Sequence, residues 1–178
     1  MFFMIEGGKG GAKTKTGLEF ESRVNLRDVF SKIEGYSIKG NDLLWQENIV
    51  ASLYKKNELY AKFLSKLKVD WKGRISKRLL PDETIFVIAN KTLFIIEMKF
   101  QKVAGSVDEK LQTCDFKKKQ YTKLLKDTGL NIKYCYILSD WFKDKSYKDT
   151  LDYIESVGCE YFFHSLPFSY LGLPEAKN

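Results

Sequence analysis

Two apolar segments separated by only two polar residues constrain this chain most: TIFVIA at 84–89 and TLFIIEMK at 92–99, with Asn90-Lys91 between them. Runs of this length, rich in β-branched and aromatic residues, read as strands. A two-residue linker beginning with Asn fits a tight hairpin turn, with Lys91 standing where glycine is preferred. Both segments are apolar almost throughout, as central strands covered on both faces must be. A sheet buried on both sides needs helices above and below it, so the expected class is α/β.

The flanking sequence supplies those helices. Phe20, Val24, Leu26, Val29, Phe30 and Ile33 recur mostly at three- or four-residue intervals and predict a helix from Thr16 to a stop at Gly35. A short strand is expected at 43–45 and a second helix at 58–67. A long helix at 107–125, closed by Gly129, precedes a strand at 132–138, a helix at 147–157 and a final strand at 160–163. The outline is a mixed α/β sandwich, its central mixed sheet flanked by helices, in one domain over 1–178. Residues 7–16, almost entirely Gly, Lys and Thr, read as a flexible arm. They do not form a P-loop, because the Gly-Lys-Ser/Thr ending is absent.

Composition narrows the function classes. At 178 residues the chain can bury a core without disulfides. Cys114, Cys135 and Cys159 are too far apart in sequence for a zinc cluster. With no signal peptide, they fit a reducing cytoplasmic compartment. No apolar run approaches the roughly 18 residues that span a bilayer, so no membrane partner is expected. The net charge of +7 favours a polyanionic partner such as nucleic acid.

The buried strand 92–99 ends in charge. Residues i and i+2 of a strand share a face, so Glu97 and Lys99 project together while Met98 points away. Pairing across a two-residue turn at Asn90-Lys91 sets Asp82 opposite about position 99. Two carboxylates and a lysine then meet at one corner of the sheet. Mg²⁺ is typically held by one or two carboxylates together with water and phosphate oxygens. A lysine beside such a site neutralises developing charge or orients the attacking water. An isolated Glu-x-Lys reads as a strand-end salt bridge; Pro81-Asp82 ahead of the preceding strand is what points to chemistry.

The pattern Pro81-Asp82…Glu97-Met98-Lys99 resembles the PD-(D/E)XK nuclease superfamily, which includes many type II restriction endonucleases. The resemblance implies a restriction endonuclease-like αβββαβ core and metal-dependent, sequence-specific hydrolysis of double-stranded DNA. It implies that Asp82 and Glu97 ligate one or two Mg²⁺ ions, with Mn²⁺ substituting, and that Lys99 assists the water. TGLEFE at 16–21 resembles the Gly-x-x-Phe-Glu opening of the family's first helix, which makes Glu21 a further metal ligand, with Glu19 as second choice. GSVDEKLQT at 105–113 resembles the segment that follows the Glu-x-Lys strand, and sets Lys110 and Gln112 near the DNA backbone. Part of that segment also reads as a capping box, Ser106 with Glu109. Gln101 continues the alternation of Glu97 and Lys99 and stands ready for water or phosphate.

A symmetric duplex target favours a homodimer. The alternatives are a structure-selective or nicking repair nuclease of the same fold and a non-catalytic DNA-binding module. Lys117, Lys118, Lys119, Lys123 and Lys126 read as a solvated helix face, and His164 as a core or edge histidine. Candidate base readers are the loops 36–58, 100–106 and 139–146, with Asn41, Gln46, Asn48 and Arg74.

Overall fold

The structure, a computed structural model, describes residues 17–19, 25–101 and 107–175. Its first element is the strand β1 (Gly17–Glu19), followed by helix α1 (Leu26–Phe30). A meander of β2 (Tyr36–Lys39), β3 (Asp42–Trp45) and β4 (Asn48–Tyr54) leads to a π-helical segment at Leu59–Leu64. The central hairpin is β5 (Glu83–Val87) and β6 (Thr92–Lys99). Helices α2 (Val107–Leu111) and α3 (Cys114–Leu125), β7 (Asn131–Leu138), α4 (Lys148–Ser156) and β8 (Glu160–Phe163) complete the main body. The described chain closes with β9 (Ser165–Pro167) and α5 (Phe168–Leu171). No helix among the described residues is long and apolar enough to cross a membrane.

Strands β2 to β8 form one seven-stranded sheet in chain order, antiparallel as far as β6 and parallel from β6 to β8. The pleat sends alternate residues to two cores. Phe94 and Ile96 of β6 join Ile85 and Val87 of β5 on one face, against Leu26, Val29 and Phe30 of α1 and Phe168 and Leu171 of α5. Leu93 and Ile95 face the other way, toward Tyr121, Leu124 and Leu125 of α3, Ile154 of α4 and Leu59 and Phe63 of the π-helical segment. The expected α/β sandwich with a helix-flanked mixed sheet is what forms.

Several local expectations are corrected. The helix predicted from Thr16 is a strand at Gly17–Glu19, paired antiparallel with β9, and a helix only at Leu26–Phe30. Asn25 starts that helix, accepting the Asp28 amide at 2.9 Å. It stops at Ser31, ahead of Gly35. Gly35 instead serves a close approach: its φ is +86°, and a Cβ there would lie 2.5 Å from the Trp45 ring. Within 36–50, read as mixed with one short strand at 43–45, that strand forms as β3 (Asp42–Trp45). Strands β2 and β4 on either side of it complete a three-stranded meander over 36–54. Its β3–β4 turn takes left-handed backbone at Gln46 and Glu47, without the glycine that marks such turns. The long helix at 107–125 is broken between Leu111 and Cys114. The arm at 7–16 lies outside the described residues.

The hairpin register is shifted by two residues from expectation, which keeps each side chain on its expected face. Strand β5 ends at Val87, because the Ile88 amide stays bonded to Val50 of β4. The turn is therefore the four residues 88–91, with Lys91 at φ +50° and the Asn90 side chain accepting the Thr92 amide. Glu83 consequently faces Ile96. One residue further along the same register sets Asp82 beside Glu97.

Candidate active site

Pro81 has no amide hydrogen and cannot extend the ladder, so β5 begins at Glu83. The next donor on β6, the Met98 amide, is met by a side chain: Asp82 Oδ2 accepts it at 3.0 Å. That bond holds the Asp82 carboxylate against β6. The residues leading into Asp82 are fixed as well. Leu79 exchanges two hydrogen bonds with the Tyr60 hydroxyl, both 2.9 Å, and its carbonyl also accepts the Tyr121 hydroxyl at 3.2 Å. The Pro81 carbonyl accepts the Lys56 amide at 2.9 Å.

On the same face of the sheet, Lys99 Nζ lies 3.0 Å from Glu97 Oε2 and 3.6 Å from Asp82 Oδ2. It also donates to the Met98 carbonyl at 3.3 Å. A fourth charge arrives from α3: Lys117 Nζ is 3.4 Å from Glu97 Oε1. The side-chain exposures grade outward, from 8% for Glu97 through 16% for Lys99 and 24% for Lys117 to 37% for Asp82. A carboxylate as covered as Glu97 needs a countercharge, since an unpaired buried charge costs several kcal/mol, on the order of 3–5. Two lysines supply it. The Tyr121 phenol beneath them is pushed well above its usual range, first by burial and then by the negative charge around it at Tyr60, Glu97 and Asp82.

The corner lies at the end of the sheet where parallel strands β6 and β7 finish, the end at which open α/β sheets commonly bind ligands. Lys55 follows the end of β4, and His164 follows β8, its Nε2 3.0 Å from Asp140 Oδ1. His164 is thus an edge residue.

The structure brings Asp82, Glu97 and Lys99 together, as the hairpin argument requires. Gln101 follows β6, its backbone fixed both ways by Ser139 Oγ, at 3.1 Å from the amide and 3.2 Å from the carbonyl. Its side chain is buried, and both amide atoms are without a hydrogen-bond partner among the described residues. Such an orphan invites water or a ligand. Lys110 and Gln112 are exposed, and among the described residues neither forms a hydrogen bond or ion pair with Asp82, Glu97 or Lys99. Glu21 lies outside the described residues; Glu19 sits in β1, where a helix was expected.

Among the expected base readers, Arg74 is engaged elsewhere. It donates to the Leu124 carbonyl at 2.9 Å and pairs with Asp127 at 3.2 Å, closing the C-terminal end of α3. Asn41 is held between the Leu53 carbonyl and Lys62. Lys117 is the residue that sequence reasoning missed. Its position four residues before Tyr121 gave the only signal, since i and i+4 share a helix face and Tyr121 is apolar enough to turn that face inward.

Asp82 and Glu97 suit a hard divalent cation, which takes one or two protein carboxylates and fills its remaining positions with water or phosphate. Among the described residues no group of three or more His, Cys, Asp or Glu side chains gathers into a metal cage. A two-carboxylate site completed by substrate oxygens fits the donors present. Comparison with known protein families, curated proteins and solved structures finds no match.

Proposed function

We propose that this chain is a metal-dependent, sequence-specific DNA endonuclease of the restriction type, hydrolysing phosphodiester bonds in double-stranded DNA as a homodimer. The observation that carries the reading is the cross-strand corner: Asp82 beside Glu97, with Lys99 within 3.6 Å of both. The run of α1, the antiparallel strands β4–β6, α3 and parallel β7 supports a restriction endonuclease-like αβββαβ core. The basic balance of the chain suits a phosphate backbone.

Asp82 and Glu97 would hold Mg²⁺, or Mn²⁺ in its place, with Glu21 as the further expected ligand. A cation held there supplies Lewis acidity and a more acidic water at neutral pH. The Met98 amide keeps the Asp82 carboxylate aimed into the corner. Lys99, already donating to Glu97, orients the attacking water and offsets the negative charge that builds on the phosphate. Gln101, two residues beyond Lys99, carries a side-chain amide without a partner among the described residues and is the further group expected to position water or phosphate. Lys110 and Gln112 would steady the DNA backbone. A symmetric duplex site is matched by a two-fold dimer.

Digestion of plasmid and phage DNA in several methylation contexts with Mg²⁺, followed by run-off sequencing of the ends, tests this reading. Discrete fragments with a common end sequence are expected. Cleavage confined to junctions, mismatches or nicks would move the protein to the repair class. Intact DNA in every context would refute nuclease activity.

A further inference from the structure

The corner as folded is electrically complete without a metal: two carboxylates, Asp82 and Glu97, face two ammonium groups, Lys99 and Lys117. The two lysines are held differently. Lys99 belongs to the same strand as Glu97, donates to its carboxylate, pairs with Asp82 at 3.6 Å and donates to its neighbour's carbonyl. Lys117 comes from a separate element and has one ionic contact among the described residues, at 3.4 Å, the longer of the two on Glu97. It takes Oε1, the oxygen that Lys99 leaves open. Helix α3 does not need this pair to stay in place, because Cys114, Tyr121, Leu124 and Leu125 already anchor it in the core.

We infer that Lys117 is the counter-cation of the metal-free site. It holds Glu97 Oε1 until a divalent cation claims that oxygen, and it is then released to a phosphate oxygen of the DNA. This rests on the nuclease reading above and deepens it. The consequence is an exchange of partners: metal binding frees a positive charge beside the substrate, so metal and DNA reinforce one another's binding. Like charges cannot share one carboxylate oxygen at short range without repulsion, so the lysine and the metal compete while DNA is absent.

The test uses the full chain and two substitutions, Lys117→Met and Lys117→Arg. Mn²⁺ affinity without DNA is read from the electron paramagnetic resonance of free Mn²⁺. DNA affinity is read by fluorescence anisotropy of a duplex in Ca²⁺. Lys117→Met is expected to bind Mn²⁺ at least about fivefold tighter than wild type and the duplex at least about fivefold more weakly. Lys117→Arg, which keeps the charge, is expected to stay near wild type in Mn²⁺ affinity. A purely structural salt bridge would shift both affinities the same way or neither. Mn²⁺ affinity that is unchanged or weaker in Lys117→Met, in a protein whose wild type binds Mn²⁺ and cleaves DNA, overturns this inference alone. A wild type that binds no Mn²⁺ and leaves DNA intact overturns the nuclease reading and this inference with it.

Discussion

Asp82 and Glu83 are consecutive carboxylates, and the pleat of β5 turns them to opposite faces of the sheet. Asp82 lies on the face of Thr84 and Phe86, partly exposed, tied to the Met98 amide and 3.6 Å from the Lys99 ammonium. Glu83 lies on the face of Ile85 and Val87, buried, accepting the backbone amide of Leu26 at the start of α1. Burial pushes the Glu83 carboxyl up from near 4.5 to about 7, against the opposing pull of the Leu26 amide, Lys55 and Arg27. The same residue chemistry one step apart thus yields a buried, proton-retaining group on one face and a partly exposed, lysine-paired carboxylate on the other. What separates them is company. Around Asp82 the sheet ends in lysines and a second carboxylate, whereas around Glu83 it ends in a helix and apolar side chains.

The sharpest way to break this contrast is to remove the charge of Asp82 while keeping its shape. Asp82→Asn retains an oxygen for the Met98 amide, so unfolding in urea should change little. Mg²⁺-dependent cleavage should fall on the order of 10³-fold, the scale of losing a preorganised electrostatic contact to the reacting group. A large loss of stability with cleavage intact would make Asp82 a strand clip.

Next in size is the effect expected at Glu83, read as stability against pH. Its folded pKa is raised, so between about 4.5 and about 7 the folded state keeps a proton that the unfolded chain has released. Stability linked to Glu83 is therefore fully present below about 4.5 and is lost as pH rises through about 7. The loss is on the order of 3 kcal/mol. Glu83→Gln should leave urea stability at pH 5 close to wild type and raise it at pH 8. A variant with the same pH slope as wild type would place the titration elsewhere.

The smallest effect comes from the tyrosines that carry the chain into Asp82. Tyr121→Phe deletes one of two phenol donors to the Leu79 carbonyl. A stability cost of about 1 kcal/mol is expected, with cleavage lowered roughly tenfold, as for groups that orient a metal ligand. Cleavage unaffected at the same stability cost would confine Tyr121 to the core.

How far this was legible in the sequence follows from the range of the forces involved. The hairpin, the shared face of Glu97 and Lys99, and the nearness of Asp82 are products of period-two alternation, which one strand carries in itself. The register was off by two residues because Ile88 bonds to Val50, a long-range pairing that no local pattern reveals. The opposite facing of Glu83 was open to the same alternation, through Ile85 and Val87. Lys117 was hidden among five lysines whose facing depends on how α3 packs over β6 and β7. The meander 36–54 was obscured because its strands are short and its Gln46-Glu47 turn lacks glycine. The helical pattern from Thr16 was overridden at Gly17–Glu19 by pairing with β9, a segment almost 150 residues away along the chain.

The proposed site puts metal-dependent hydrolysis on the Asp82 face of the sheet and none on the Glu83 face. One side-by-side assay tests it: plasmid cleavage in Mg²⁺ by wild type, Glu97→Gln and Glu83→Gln. Cleavage by wild type and Glu83→Gln is expected, with essentially none by Glu97→Gln. Cleavage by Glu97→Gln at the wild-type rate would contradict it.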